Sequence, residues 1–241
     1  IHNAFYIAKS GKPGVVVVDI PKDIQLALGT DDYPKDINIR GYNPNTSVHM
    51  GQVNKAMEIL SKAIKPVFLI GGGVNIAHAN ELMTKLSEIT GVPVVTTMMG
   101  KGAIPTTHEL YVGNIGIHGS YAANTAIANC DVLFSIGTRF NDRITGKIEE
   151  YEKKATIIHV DIDPAAISKN ISVDIPIVAD AKIAIEAILK KAKKLNIDEW
   201  RNQISEWKET HPIKMEESED ILTPEYIIRK INKTPPIPIR Q

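Results

Sequence analysis

The sequence contains little of what several classes of protein require. Cys130 is its single cysteine, which excludes a disulfide framework and a cysteine-rich zinc site and is typical of a reducing compartment such as the cytoplasm. Basic and acidic residues both number 28, so no net field attracts nucleic acid. No apolar run approaches the roughly 20 residues that span a bilayer. We therefore expect neither a nucleic-acid partner nor a membrane.

The first residues, IHNAFYIAKSG, match neither a signal peptide nor a typical transit peptide. They lack an initiator methionine and have the pattern of a helix already under way over residues 1–10, with Gly11 as its stop. We therefore expect an excised piece of a longer protein. With 43% hydrophobic residues, that piece has enough apolar side chains for a real core.

Strand-like and helix-like segments alternate along most of the chain. Short apolar runs are typical of buried parallel strands, and apolar residues at helical spacing lie between them. The predicted strands are Val67–Ile70, Val94–Thr96, Val132–Ile136, Thr156–Val160 and Ile175–Val178, and the predicted helices of this region are 53–64, Ala77–Thr90, Tyr121–Asn129 and Ala181–Ala192. This alternation predicts crossover connections, a mainly parallel sheet and an α/β fold.

Other segments lie outside this alternation. Val15–Ile20 is β-branched except at Asp19, which predicts a strand buried on both faces. Pro21–Ser47 is polar and rich in proline, asparagine and aspartate, which predicts a linker. Residues 193–222 are charged and predicted to be helical in part, and Pro224–Lys233 is predicted to form a short helix.

Unusual residues recur where the predicted strands end, and in an open parallel sheet these positions share the edge at which ligands bind. The successive sets are Gly71, Gly72 and Gly73; Thr97, Met98, Met99 and Gly100; Gly137, Thr138, Arg139, Asn141, Asp142 and Arg143; Asp161 and Asp163; and Asp180. Glycines admit a diphosphate to the backbone amides, and arginines neutralise its charge. Asp161 offers an acceptor for ribose hydroxyls, and Asp180 offers one for a ribose hydroxyl or an adenine amine. Together the five sets predict a dinucleotide site.

Each of these residues also has a simpler interpretation. The glycines form a tight turn without a ligand, a lone arginine makes a surface ion pair, and an aspartate caps a helix, above all Asp163 before Pro164. Asp142 and Arg143 are alternatively a structural pair, and His118 in GIHGS is a core or capping histidine. The pattern also lacks the GxGxxG fingerprint, and no acidic residue ends the strand that follows the glycines.

Six stretches carry a resemblance to a known family. They are SGKPGVVVVDIPKDIQ, KPVFLIGGGV, GVPVVTTMMGKGAIP, GNIGIHGSYAAN, DVLFSIGTRFNDRITGK and IIHVDIDPAAISKN. Over most of residues 1–235, the chain resembles the large, catalytic subunits of acetolactate synthase, also called acetohydroxyacid synthase. The most specific part is GTRFNDRITGK followed by HVDIDPAAISKN.

The resemblance implies a three-domain enzyme. Its first and third domains form the site for thiamine diphosphate and Mg²⁺ between two subunits, and its middle domain holds FAD on a Rossmann-like, mostly parallel six-stranded sheet flanked by helices. Residues 1–20 match the end of the first domain, 21–46 the linker, 47–195 the central FAD-binding domain, and 196–241 a second linker and the start of the third domain. No catalytic or metal-binding residue is expected in this piece.

The resemblance also implies an FAD-contacting set, carried over position by position. It comprises Lys12, Gly71, Gly72, Gly73, Thr97, Met98, His118, Gly137, Thr138, Arg139, Asn141, Arg143, Ile144, Asp161, Ile162, Asp180 and Ala181. Lys12 stands where the family has arginine, which loses bidentate geometry but keeps the charge. Asn141 stands where the family has aspartate, which removes a charge but keeps an acceptor.

The implied reaction condenses two pyruvates, or pyruvate and 2-oxobutyrate, with loss of CO₂ in branched-chain amino acid synthesis. The implied enzyme is a cytoplasmic homodimer or homotetramer with a small regulatory subunit, its FAD takes no net redox part, and this piece alone is expected to be inactive. One alternative is a sister thiamine-diphosphate enzyme such as glyoxylate carboligase or pyruvate oxidase, which a comparison of substrates would separate. Another is a non-enzymatic flavin- or NAD-binding electron-transfer module, which a reducible, redox-active flavin would favour.

Overall fold

The fold is an α/β sheet with helices packed against it, as predicted. The computed structural model describes residues 1–29, 37–45, 47–145, 155–213 and 222–233. The strands within them are β1 (Pro66–Ile70), β2 (Val94–Thr96), β3 (Tyr111–Asn114), β4 (Val132–Ile136), β5 (Thr156–Asp161) and β6 (Ile175–Val178). The helices are α1 (His2–Lys9), α2 (Lys22–Leu26), α3 (Met50–Ser61), α4 (Gly72–Ile76), α5 (Asn80–Thr90), α6 (Tyr121–Asn129), α7 (Asp142–Thr145), α8 (Ala181–Leu189), α9 (Asp198–Thr210) and α10 (Pro224–Lys233).

The sheet has the strand order β3-β2-β1-β4-β5-β6, and every neighbouring pair is parallel. The chain runs from β1 outward through β2 and β3, and then crosses through α6 to β4 on the other side of β1. The strand order therefore reverses between β1 and β4. Open parallel sheets bind ligands at such a switch point, outside the carboxyl ends of the strands.

The core lies on both sides of the central strands. Every residue of β1 and of β4 is buried, as expected of strands covered on both faces. Phe68 and Phe134 are register partners whose rings meet edge to face, with centroids 5.6 Å apart. α3 and α5 both contact α8, while α6 contacts α9.

α9 packs on this body although it lies beyond the predicted central domain. Trp200 and Ile204 belong to the core, and the Trp200 indole N–H donates to the Pro66 carbonyl at 3.1 Å. Lys208 Nζ donates to the Tyr111 carbonyl at 2.9 Å. The domain boundaries stay predictions, and residues 30–36, 46, 214–221 and 234–241 of the two predicted linker regions lie outside the described residues.

The prediction of a strand at Val15–Ile20 is wrong for this chain. The segment forms neither a helix nor a strand, it pairs with no strand in the described part of the chain, and Val15 and Val17 are 96% and 86% exposed. A β-branched run reports the preference for a sheet, whereas the sheet itself needs a neighbouring strand.

Three further boundaries differ from the predictions. The predicted helix Ala77–Thr90 begins only at Asn80, because His78 adopts a positive φ of 50°, and α4 (Gly72–Ile76) is a separate helix before it. α8 ends at Leu189 rather than at Ala192. The sequence patterns missed β3, because it is a four-residue edge strand that contains Gly113 and ends in Asn114.

The predicted linker fastens α1 to the sheet. The hydroxyl of Tyr42 donates to the Ser10 carbonyl at 2.9 Å, and its ring meets that of Tyr6 edge to face. Asn45 Nδ2 donates to the Val178 carbonyl at the end of β6. These contacts bring residues 9–13 over the carboxyl ends of the strands. Among the described residues, no helix has the length and apolar character needed to cross a membrane.

Candidate functional site

A cleft opens at the switch point, above the carboxyl ends of the strands. Its volume is about 630 Å³, which lies in the range of about 300–1,000 Å³ typical of cofactor sites. Every residue of the predicted FAD-contacting set lines this cleft except Gly71. The structure therefore brings together side chains that are spread from Lys12 to Ala181 in the sequence.

The glycines after β1 meet the turn after β4. A Cβ on Gly71 would lie 2.1 Å from the Gly137 carbonyl oxygen, and one on Gly73 would lie 2.7 Å from Gly137 Cα. Gly71 N donates to Ile136 O at 2.9 Å, and Gly73 N donates to Gly137 O at 3.0 Å. The tight-turn interpretation therefore accounts for Gly71 and Gly73. Of the three glycines, Gly72 is the one whose amide finds no acceptor among the described residues, and Gly72 lines the cleft.

The turn after β4 carries an arginine into the cleft. Gly137 adopts a positive φ of 66°, and its N–H donates to Val160 O at 2.8 Å, so the turn is tied to β5. Thr138 is buried, whereas Arg139 is exposed. No carboxylate of the described residues lies within ion-pair distance of the Arg139 guanidinium. The surface ion pair considered from the sequence is thus not found there.

The turn after β2 forms an apolar lip. Thr97 caps a single 3₁₀ turn, Met98–Gly100, by accepting from Gly100 N at 3.1 Å. Asn75 on α4 donates to the Met99 carbonyl at 2.9 Å, which fixes the turn against the glycines. The side chains of Met98 and Met99 are exposed at the cleft.

The loop after β3 closes the same side. Asn124 on α6 brackets Gly116, accepting from its N–H and donating to its carbonyl, both at 3.0 Å. Ser120 is the N-cap of α6 and accepts from Ala123 N at 3.2 Å. His118 is exposed and lines the cleft. The interpretation of His118 as a core or capping histidine is therefore wrong.

Acidic residues close the far end of the cleft. Asp163 caps the 3₁₀ turn Pro164–Ala166, and its Oδ2 accepts from Lys12 Nζ at 3.0 Å, which lowers the pKa of that carboxyl. Asp180 caps α8 by accepting from Lys182 N and Ile183 N. The capping interpretation is confirmed for both residues, and Asp180 also lines the cleft. Asp161 is buried, and its Oδ1 accepts from Asp163 N at 2.9 Å.

This geometry agrees with a comparison with known families. A family model described as "thiamine pyrophosphate enzyme, central domain" matches residues 53–188, which include all six strands. The chain belongs to that family.

Three curated relatives of this thiamine pyrophosphate enzyme central domain carry the name acetolactate synthase. The present chain is 42% identical over 236 residues to the acetolactate synthase large subunit of Buchnera aphidicola subsp. Schizaphis graminum, and the match covers 95% of this chain and 41% of that protein. It is 41% identical over 237 residues to the acetolactate synthase of Mycobacterium bovis (95% and 38%), and 38% identical over 240 residues to acetolactate synthase isozyme 3 large subunit of Escherichia coli K12 (96% and 42%). The chain spans about two fifths of the length of these curated relatives.

The structure adds cleft residues that the strand-end argument missed in this central domain. Asn114, Ile115, Gly116, Ile117 and Ala179 line the cleft, as do Lys9, Gly11, Pro13, Ile76, Ala77 and Val160. Most follow β3, whose existence the sequence patterns did not predict, or belong to the segment before Val15. The side chain of Asp142, considered as a partner of Arg143, lies outside what the structure describes. No group of three or more acidic, histidine or cysteine residues suited to a metal ion occurs in the described ranges.

His159 on β5 was also missed, although a histidine inside the apolar run IIHV is a visible signal. It is fully buried beneath the cleft, and its Nε2 lies 2.8 Å from the Thr138 carbonyl oxygen. Burial lowers the pKa of its ring. This histidine therefore connects the sheet to the turn that carries Arg139.

Proposed function

We propose that this central domain is part of an acetolactate synthase large subunit and that its cleft binds FAD. The observation that carries the proposal is the convergence of a glycine turn, an arginine turn and an acidic end in one cleft at the switch point of a parallel sheet. The names of the curated relatives support the choice of enzyme over glyoxylate carboligase, pyruvate oxidase or an electron-transfer module.

The middle of the cleft suits a diphosphate. Gly72 offers a backbone amide, and a Cβ there would lie 3.1 Å from Met99 Cβ, which is a tight contact. Arg139 and Arg143 line the same cleft, and a guanidinium donates two parallel hydrogen bonds to phosphate oxygens. Lys12 Nζ is already bound to a carboxylate, that of Asp163, at 3.0 Å.

The two ends of the cleft suit the rest of FAD. Asp161 and Asp180 supply carboxylate oxygens for ribose hydroxyls or for the adenine amine. Met98, Met99 and Ile117 supply an exposed apolar lip for a flat aromatic ring. Of the expected set, Gly71 acts through the turn that it shapes rather than by contact.

In this proposal, bound FAD stabilises the central domain and takes no net part in redox chemistry. Residues 1–20 end the preceding domain, 21–46 form a linker, and 196–241 form a second linker and the start of the third domain. The neighbouring domains hold thiamine diphosphate and Mg²⁺. The whole enzyme acts in the cytoplasm as a homodimer or homotetramer with a small regulatory subunit. It condenses two pyruvates, or pyruvate and 2-oxobutyrate, and releases CO₂. The role of the present chain is to bind and orient.

The test uses the parent protein and this chain side by side. We expect the parent to form acetolactate from pyruvate when supplied with thiamine diphosphate, Mg²⁺ and FAD, and to lose activity when FAD is removed. The chain alone is expected to form none under the same conditions. A parent that uses glyoxylate rather than pyruvate, or one whose flavin is reduced during turnover, would contradict the proposed function. Acetolactate formed by the chain alone would contradict the domain assignment.

A further inference from the structure

Two buried polar atoms lie on neighbouring strands beneath the cleft. Ser135 on β4 and His159 on β5 are register partners, so their side chains project from the same face of the sheet. Both residues are fully buried. Neither Ser135 Oγ nor His159 Nδ1 has a hydrogen-bond partner within the described ranges. Because buried polar atoms in folded proteins are nearly always paired, these two atoms require an explanation.

The row of the sheet that contains them offers no other polar side chain. Ser135 is also the register partner of Leu69 on β1, and His159 is also the partner of Pro176 on β6. Leucine and proline side chains neither donate nor accept hydrogen bonds. Along this row, Ser135 and His159 therefore have only each other.

The second ring nitrogen of His159, Nε2, determines whether Ser135 Oγ or His159 Nδ1 is the donor. His159 Nε2 lies 2.8 Å from the Thr138 carbonyl oxygen, and a carbonyl only accepts, so Nε2 carries the proton. Burial lowers the pKa of His159 and favours the neutral ring. A neutral imidazole that is protonated at Nε2 has a free lone pair at Nδ1. The Ser135 hydroxyl, which rotates about its side-chain bonds, is a matching donor.

In the structure the two atoms do not bond to each other. We propose that Ser135, after rotation about its Cα–Cβ bond, donates to His159 Nδ1 and that His159, through its bond to the Thr138 carbonyl, positions the Gly137–Arg139 turn of the cleft. Ser135 and His159 are thus positioning residues that do not touch the ligand. The proposal rests on the proposed function only for the identity of that ligand, FAD. The hydrogen-bonded chain runs from the interior of the sheet to the residue before Arg139.

Further contacts hold the ring in this place. The ring of Phe140 meets that of His159 edge to face, with centroids 5.0 Å apart. Asp161 Oδ2 lies 3.9 Å from Nε2, farther than the Thr138 oxygen, so the carbonyl is the primary acceptor. On the other side of the turn, Asn170 Nδ2 donates to the carbonyls of Arg139 and Phe140. His159 thus bonds to the Thr138 carbonyl, while Asn170 bonds to the next two carbonyls of the turn.

The first test is nitrogen NMR of the histidine rings in the ligand-free chain. We expect wild-type His159 to show a protonated Nε2 and an Nδ1 resonance shifted by an accepted hydrogen bond. Ser135→Ala should move the Nδ1 resonance and leave Nε2 protonated. Ser87→Ala is the matched control, because Ser87 is equally buried but bonds to Thr84 O on α5. A protonated Nδ1, or an Nδ1 resonance that Ser135→Ala leaves in place, would overturn the proposal.

The second test is FAD affinity in position-matched variants. A glutamine amide nitrogen extends about as far as Nε2 and still donates to Thr138 O, whereas leucine does not. We expect His159→Leu to weaken FAD binding about tenfold, His159→Gln to stay within about threefold of wild type, and the milder Ser135→Ala to weaken it about threefold. Urea denaturation shows which variants fold. If His159→Leu does not fold, the FAD affinity of Ser135→Ala decides the outcome.

The outcomes separate this proposal from the proposed function. Wild-type affinity in folded His159→Leu and Ser135→Ala would overturn the positioning role, even if the chain binds FAD. Absence of FAD binding to the wild-type chain would refute the proposed function, while the NMR experiment would still decide whether Ser135 bonds to His159.

Discussion

Arg139→Ala is expected to weaken FAD binding by about one to two orders of magnitude. Arg139 is exposed, lines the cleft and has no carboxylate within ion-pair distance among the residues that the structure describes. Its guanidinium is therefore available to an anion. A charge-assisted hydrogen bond to phosphate contributes about 1.5–3 kcal/mol, which corresponds to a roughly 10- to 150-fold change in Kd.

The same substitution should leave the fold intact. Removing an exposed side chain usually changes the free energy of unfolding by less than about 0.5 kcal/mol. The hydrogen bond from the side-chain Nδ2 of Asn170 to the Arg139 carbonyl, 3.2 Å long, does not depend on the Arg139 side chain. A loss of affinity in Arg139→Ala would therefore report on the contact with the ligand rather than on unfolding.

The assay is an equilibrium titration of flavin fluorescence at fixed ionic strength. Lys85→Ala is the matched control, because Lys85 is an exposed cation on α5 that does not line the cleft. Lys12→Ala should have a smaller effect than Arg139→Ala, because Lys12 Nζ is bound to Asp163 at 3.0 Å. An affinity within about twofold of wild type in folded Arg139→Ala would remove Arg139 from the site.

Three further predictions concern stability. Gly71→Ala should lower the free energy of unfolding by at least about 2 kcal/mol, because the added Cβ would meet backbone atoms. Gly29→Ala is the control and should not lower it, because nothing lies within 4 Å of the added Cβ. Equal urea midpoints for the two variants would refute this prediction. The folded-state pKa of His159 lies below its ordinary value of 6.5, so the unfolded chain binds the proton more readily and stability should fall as pH drops below about 6.5. His159→Gln should flatten that decline, and an unchanged dependence of the urea midpoint on pH would contradict the assignment. Val17→Thr should change the free energy of unfolding by less than about 0.5 kcal/mol, because Val17 is exposed. Val94→Thr in β2 should lower it by about 1–3 kcal/mol, because it buries a hydroxyl. Similar losses in the two variants would mean that Val17 is buried.

The fold was predictable where the local pattern and the tertiary environment agree. β1 is an apolar run, and β4 is apolar except at Ser135, because helices cover both faces of the sheet, so the burial of these strands is visible in the sequence. β3 is held at the edge of the sheet by pairing with β2 despite Gly113, and no local pattern reports that pairing. Val15–Ile20 shows the converse, a strand-like run that no described strand joins.

The site was predictable because the carboxyl ends of parallel strands meet at one edge. From the sequence alone, that rule predicts that Arg139, Asp161 and Asp180 lie at one edge, and all three line the cleft. The rule does not distinguish residues that line the cleft from residues that only shape it. Gly71 is of the second kind, because the packing of the turns after β1 and β4 requires a glycine there. His118 was ambiguous because its exposure depends on how Asn124 and Ser120 shape the loop, and these are tertiary contacts.

The most direct test is equilibrium titration of the wild-type chain with FAD, FMN and NAD in parallel. If the cleft is built for FAD, one FAD should bind per chain with saturation. FMN should bind more weakly, because it lacks the second phosphate and the adenosine that face Arg139, Asp161 and Asp180 in the proposal, and NAD should bind more weakly than FAD. A folded chain that binds no FAD, that binds FMN as tightly as FAD, or that prefers NAD would contradict the assignment of the cleft.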